Sequence, residues 1–306
     1  MKQIVGIIKD TFEDFSDDNC ARMAAALSYY TVFSLPALLL LILAIIGFFF
    51  DPGDAQGRFM DQVVGLVGPQ GGEAMRTMVE QANHPKGGVM AIAGIITLVL
   101  GATGAFAQLQ DALNTAWEVR PDPVAGGVKK FLGKRFLSFG MILVIAFMLL
   151  VSFVASAAVA AFGDLLNNYL GGAGEIIGQA VQIVLGLLVT WGLFALMFKV
   201  LPDATIKWSD VAVGAFVTAV LFTVGRFLIG LYLGKSDSAN AFGAAAALAI
   251  VFIWIYYAAN ILFLGAEFTQ VWVKRQGRTI EAEEGAIKVT DPRTGNDLAK
   301  RTQSTR

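Results

Sequence analysis

Histidine and cysteine are almost missing from this chain: among 306 residues there is one of each, His84 and Cys20. A single cysteine excludes an intrachain disulfide, and the pair cannot furnish a histidine-rich or cysteine-based zinc site. Charge is scarce as well. Asp, Glu, Lys and Arg make up 15% of the residues, against about 25% in an ordinary soluble domain. The net charge of −1 gives no electrostatic footprint for a nucleic acid. A phosphate-binding GxxxxGK[ST] loop, a GxSxG elbow and an HExxH helix are all lacking, which removes the usual routes to ATP hydrolysis, serine hydrolysis and zinc proteolysis. No cofactor or metal is expected, and the chain is read as something other than an enzyme.

Apolar residues fill the space left by these absences. They are 56% of the chain, and mean hydropathy is +0.64. The few charges cluster, leaving six charge-poor windows at 23–50, 87–110, 136–163, 176–198, 211–234 and 238–266, the fifth broken only by Arg226. Each exceeds the roughly 20 residues that cross about 30 Å of hydrocarbon. Backbone groups in lipid must bond within their own segment, so the windows are predicted to be helices. The fold class expected is therefore all-α: a polytopic membrane protein with six transmembrane helices over residues 1–275 and a polar, disordered tail over 276–306. The first window follows the acidic stretch "DTFEDFSDDNC" and is too long for a signal-peptide core, so it reads as a retained helix.

Orientation follows from Lys and Arg. The segments on the side of the two termini carry 18 and the opposite segments carry 4, which predicts both termini in the cytoplasm. Residues 2–16 place Ile4, Ile8, Phe12 and Phe15 on one helical face, with Lys9, Asp10, Glu13 and Asp14 away from it. That pattern suits a helix lying in the inner interface, or one packed on the cytoplasmic loops. In the first outer loop, "RFMDQVVGLV" and "EAMRTMVEQA" read as two short amphipathic helices joined by "GPQGG".

Polar residues inside the windows are the candidate site. In the second window Gly94, Thr97, Gly101, Gly104, Gln108 and Asp111 recur at steps of 3 and 4, one narrow stripe along a helix. The glycines Gly94, Gly101 and Gly104 suit close helix packing; Gln108, Asp111 and Asn114 either line an inward-facing vestibule or sit among the headgroups. In "ALSYYTVFSLP", Ser28, Tyr29, Thr31 and Ser34 stand near Pro36, where hydroxyls either repair backbone carbonyls or form a polar groove. In the last window Tyr256, Asn260, Glu267 and Gln270 share a face, and Glu267 is placed at the inner interface with Arg22 and Lys274 as possible partners. Arg226 lies about 22 Å into its window at 1.5 Å per residue. It either snorkels to outer-leaflet phosphates or faces the interior and holds an anion in its planar fork.

Three stretches, "AAALSYYTVFSLPALLLL", "GATGAFAQLQDALNTAWEV" and "FIWIYYAANILFLGAEFTQVW", together resemble the YihY / virulence factor BrkB family of bacterial inner-membrane proteins over roughly residues 5–275. The resemblance implies six spans and an inner-membrane location. Positions matching its motifs are Ser28, Tyr29, Gly101, Gly104, Gln108, Asp111, Gly265 and Glu267, and Arg226 fills the basic position that members carry in span five. An older label for the family, ribonuclease BN, asks for a metal-dependent nuclease, and this chain lacks the histidines for one. The function expected is movement or presentation of an amphiphilic, anionic substrate such as a lipid. Arg226, Ser28, Tyr29, Gln108, Asp111, Asn260 and Glu267 are its candidate binding residues, and membrane lipids its partners. The alternative is a non-transporting scaffold that recruits an envelope protein.

Overall fold

A computed structural model describes residues 2–47, 57, 59–61, 64, 72–73, 75–77, 104–122, 172–234 and 244–289. The chain begins with α1 (Lys2–Asp17) and turns through two residues into α2 (Cys20–Gly47). Asn19 makes the corner with φ 55°, a left-handed conformation that asparagine tolerates better than most residues. Its carbonyl accepts the amides of Arg22 and Met23 and so starts α2. Helix α3 covers 104–116 and runs into β1 (Val119–Pro121). Then come α4 (Gly172–Val200), β2 (Ala204–Thr205), α5 (Trp208–Gly234), α6 (Ala244–Arg275), β3 (Glu281–Ala282) and β4 (Ala286–Lys288).

The described residues are mostly helical, and three helical stretches are long and apolar enough to cross a membrane: Ala180–Val200, Trp208–Ile229 and Ala249–Arg275. Much of their surface is bare and apolar. Val181, Ile183, Val184 and Leu188 on α4, Phe216, Val224, Phe227 and Leu228 on α5, and Phe252 and Ile253 on α6 are all exposed, as side chains that face lipid would be. Residues 87–103 of the window expected at 87–110, the window expected at 136–163, most of the 51–86 loop and the tail beyond 289 lie outside the described residues, as do Gly94, Thr97 and Gly101.

Two helices outrun the windows that charge alone defined. Helix α3 continues through Asp111 to residue 116, and α6 continues through Glu267 to Arg275. At 32 residues and 1.5 Å per residue, α6 is about 48 Å long, more than the roughly 30 Å of a hydrocarbon core. A charged side chain marks the edge of the lipid; it does not stop the helix. Capping does: the amide of Arg278 reaches the carbonyl of Val273, and that of Gly277 reaches Lys274. Gly277 sits at φ 70°, which makes a Schellman cap.

Helix α6 is the hub. It packs against α2 on one side, α5 on the other and α1 across its last turns, while α4 packs on α5. On the α5 side, Gly214 faces Thr269 and Gly265 faces Thr218, so each helix sets a threonine over the other's glycine. Both hydroxyls donate to their own helix, Thr218 to the Gly214 carbonyl and Thr269 to that of Gly265, each at 2.7 Å. No polar group is left open, and the backbones approach closely. Higher on the same seam Gly225 faces Tyr257, whose hydroxyl reaches the Leu221 carbonyl at 3.3 Å. Ring contacts run from Trp117 through Phe198, Phe194, Phe222 and Trp254 to Tyr257, linking the loop after α3 to that level.

The segment after α6 was expected to lack regular structure. Up to residue 289 it instead pairs with two distant loops: β3 runs antiparallel to β2, and β4 antiparallel to β1. Gly285, at φ 86°, makes the turn between them. Pairing of this kind is set by partners 78 and 165 residues away (Ala204 with Ala282, and Pro121 with Ala286) and leaves no local period to read.

Candidate functional site

The ends of α3, α4 and α6, the start of α5 and all of α1 gather at one end of the molecule, where nearly all the described hydrogen-bonded charge lies. Asp203, between α4 and β2, is its centre. Its carboxylate accepts from the side-chain amides of Asn114 at 2.9 Å and Gln110 at 3.2 Å, and its backbone amide donates to the Asn114 carbonyl oxygen at 2.8 Å. Asp210, in the first turn of α5 and suited there to the helix dipole, receives both arms of Arg278, one at 2.6 Å; the same guanidinium also meets Gln276. Lys199 donates to the Ile206 carbonyl at 2.6 Å and lies over the Trp208 ring. Lys274 lies 3.0 Å from Glu118 and 3.8 Å from Asp14, and Arg275 holds Asp10 at 2.6 Å. These last pairs fasten α1 across the end of α6.

That fastening fixes how α1 presents itself. Its acidic face is turned to α6, Phe15 packs on the core, and Ile4, Val5, Ile8 and Phe12 are left exposed on the other side. Asp14 is held above the ordinary carboxylate value of 3.8, chiefly because burial strips its water, with the Lys274 ammonium pulling the other way.

Beneath this layer sits Glu267. It was expected at the interface beside Arg22 or Lys274, but it is fully buried, Arg22 is exposed on α2, and Lys274 is engaged by Glu118 and Asp14. The reason is the two further turns of α6, which carry the cations past it. Among the described residues its hydrogen bond is with Cys20: the thiol donates to Oε1 at 3.3 Å. The other oxygen, Oε2, has no partner among the described residues. The indole N–H of Trp117 is in the same position.

The remaining sequence candidates do not converge. Ser28 is buried and its hydroxyl donates to the Ala25 carbonyl at 2.8 Å; Thr31 and Ser34 likewise donate to carbonyls of their own helix. This is the backbone-repair use of a hydroxyl rather than a groove. Tyr29 is exposed, with edge contacts to Tyr30 and Phe33. Asn260 donates to the Tyr256 carbonyl one turn back at 2.7 Å. Asp111 is exposed and Gln108 half-buried, whereas Asn114 points to Asp203, so these three do not line one vestibule. Gly104 is seated against the Tyr30 ring of α2. Arg226 is half-buried on α5, next to the Gly225–Tyr257 contact and about 27 Å from the start of α5 at 1.5 Å per residue, far from the polar end. Sequence reasoning missed Asp203, Asp210 and Cys20, and an aspartate three residues into a helix was the one local signal among them. Among the described residues no three of His, Cys, Asp and Glu gather as metal ligands would.

Comparison with known proteins finds relatives named as membrane proteins. The family model described as virulence factor BrkB matches residues 11–288. A UPF0761 membrane protein of Stenotrophomonas maltophilia is 29% identical over 83% of this chain and 58% of its own length. Another, from Alcanivorax borkumensis, is 25% identical over 85% of this chain and 58% of its own. A third, from Vibrio parahaemolyticus, is 27% identical over 87% of this chain and 81% of its own. This chain thus spans somewhat over half the length of the first two relatives. No solved structure matches it.

Proposed function

The chain belongs to the virulence factor BrkB family of membrane proteins, and from that premise and its geometry we propose that it moves or presents an amphiphilic, anionic substrate such as a lipid. The observation that carries the reading is Arg226. It is the one charged residue between Asp210 and Lys235, and it stands half-buried in the far half of a helix whose neighbouring surface is apolar. A guanidinium there offers a planar fork for a phosphate or carboxylate, while exposed Phe227, Leu228 and Val224 offer the surface an acyl chain needs. No step of this role requires a catalytic group, and we place the protein outside the enzymes.

In this reading the polar end is cytoplasmic, in a bacterial inner membrane, because it holds most of the Lys and Arg. Helix α1 then lies in the inner interface with Ile4, Ile8 and Phe12 in the acyl boundary. Tyr29, exposed on α2, is a further candidate for substrate contact.

The test is a proteoliposome assay with vesicles of phosphatidylethanolamine and phosphatidylglycerol carrying labelled phosphatidylglycerol. Wild-type protein is expected to move the label faster than protein-free vesicles. Arg226→Ala should lose about tenfold to a hundredfold, since a hydrogen bond to a charged group contributes about 1.5–3 kcal/mol, and Arg226→Lys should lose less. Wild-type rates equal to those of empty vesicles overturn the reading.

A further inference from the structure

We propose that Glu267 is a proton-binding site at the polar end of the α2/α6 seam, and that proton binding and release there drive the movement proposed above. The coupling half rests on the transport reading; the binding half does not.

Glu267 departs from the habits of the rest of the molecule. Thr218, Thr269, Ser28 and Asn260 return their side chains to a carbonyl of their own helix, and the cations in the last turn of α6 and just beyond it are matched with carboxylates. Glu267 is fully buried, accepts one hydrogen bond from a neutral thiol, and leaves Oε2 with no partner among the described residues. A carboxylate so placed holds charge away from water with a single weak thiol donor, an arrangement proteins avoid. A proton removes the charge. It is also the one cation that needs no coordination sphere: Cys20 and Glu267 supply two donors, whereas a structural zinc site takes four.

The groups that face Glu267 fit a site that exchanges its proton with one side. They are Cys20 of α2, Asp18 in the α1–α2 corner, Asp14 of α1, and Lys274 of α6 itself. Asp210 of α5, on the opposite flank, is held by Arg278. Asp14 is partly exposed and its carboxyl is held above the ordinary value by burial, so it takes up a proton more readily than a surface aspartate does. It sits on α1, which Arg275 and Lys274 fasten over α6. The neutral acid matches the closed seam of the structure. Loss of the proton puts an unpaired charge between α2 and α6 and favours any arrangement that admits water there, which is how a proton becomes linked to a conformational change.

The binding half is read by infrared difference spectroscopy on the full chain in phosphatidylglycerol nanodiscs across a pH titration. A protonated-carboxyl C=O band that bleaches with rising pH, moves in Cys20→Ala and is missing from Glu267→Gln is the expected result. Absence of a titrating band that Glu267→Gln removes overturns the binding site, whatever the vesicles do. The coupling half is read in the labelled phosphatidylglycerol vesicles under an imposed gradient. One pH unit is expected to bias wild-type movement by up to about tenfold per proton and to leave Glu267→Gln unbiased. Wild-type movement indifferent to the gradient overturns the coupling. A titrating band with no movement in any vesicle keeps the proton site, overturns the coupling and removes the transport reading.

Discussion

The two flanks of α6 bury polar side chains in opposite ways. Toward α5, Thr269 and Gly265 meet Gly214 and Thr218, and every hydroxyl of that set is returned to a carbonyl of its own helix. Toward α2, Glu267 has one oxygen on a thiol and one on nothing described. The first flank is self-sufficient: its polar atoms are satisfied whether or not the helices separate, so what holds it is fit. The second is only half satisfied, by the Cys20 thiol of α2, and leaves Oε2 without a partner among the described residues.

The sharpest way to break this comparison is to spoil the fit. Gly265→Val sets a branched side chain against Thr218, and Gly214→Val does the same against Thr269. Because these threonines are anchored on their own helices, the backbones must part. We expect a loss of about 3 kcal/mol, the upper end for overpacking, seen as a large fall in thermal midpoint in detergent or as aggregated protein on size exclusion. The pair Gly265→Ala with Thr218→Ala should recover most of the loss that Gly265→Ala causes alone, since coupled neighbours are non-additive. Additive losses would mean that the seam is not held by that contact.

Next in size is the fastening of the polar end. Asp210 is almost fully buried and Arg278 is the residue that meets it. Asp210→Asn leaves the guanidinium without its charge partner and should cost about 2–3 kcal/mol, toward the low end for a broken buried pair because Arg278 stays partly solvated. Asp203→Ala removes the acceptor of both Asn114 and Gln110 and should cost about 1–2 kcal/mol. Both are read as shifts in midpoint. A loss from Asp210→Asn no larger than that of an exposed pair such as Arg275–Asp10 would show that the tail strands, not this ion pair, hold the end together.

These residues also mark where the sequence stops being informative. The apolar windows reveal α4, α5 and α6 because lipid demands long uncharged helices, and Gly104 is legible because a small-residue stripe has one common use. Helix ends are less so. Asp111 and Glu267 read as the edges of spans, yet both helices run on: α6 ends at a cap whose signal is Gly277, and α3 ends before Glu118, whose φ is 54°. The polar end is illegible for a different reason: Asn114 with Asp203 and Ala286 with Pro121 are pairings across many tens of residues, and no period or motif in a single chain encodes them. Glu267 is the instructive case. Its place on a face with Asn260 and Gln270 follows from spacing, but its burial belongs to the packing of α2, which brings Cys20 against it and which only the tertiary structure supplies.

The smallest effect is the most specific. Asp14 is the acid on α1 that is held above its ordinary value, by burial first and against the pull of Lys274. A carboxyl whose folded value is raised binds its proton more tightly in the folded chain than in the unfolded one. It therefore favours folding below the ordinary value of 3.8, and that advantage is lost as pH climbs through the raised folded value. At neutral pH Asp14 is thus a slight liability, partly offset by Lys274 at 3.8 Å. Asp14→Asn removes the liability and keeps the shape. Lys274 retains Glu118 at 3.0 Å, so little is lost on that side. The variant should match or exceed wild type by a few tenths of a kcal/mol at neutral pH, as suits a partly exposed group, and lose that edge in acid. A stability profile in which Asp14→Asn is worse at neutral pH and recovers in acid reverses the sign. It would mean that the Lys274 pair outweighs burial, and that α1 is held to α6 by charge at the very point where the α2 flank has none to spare.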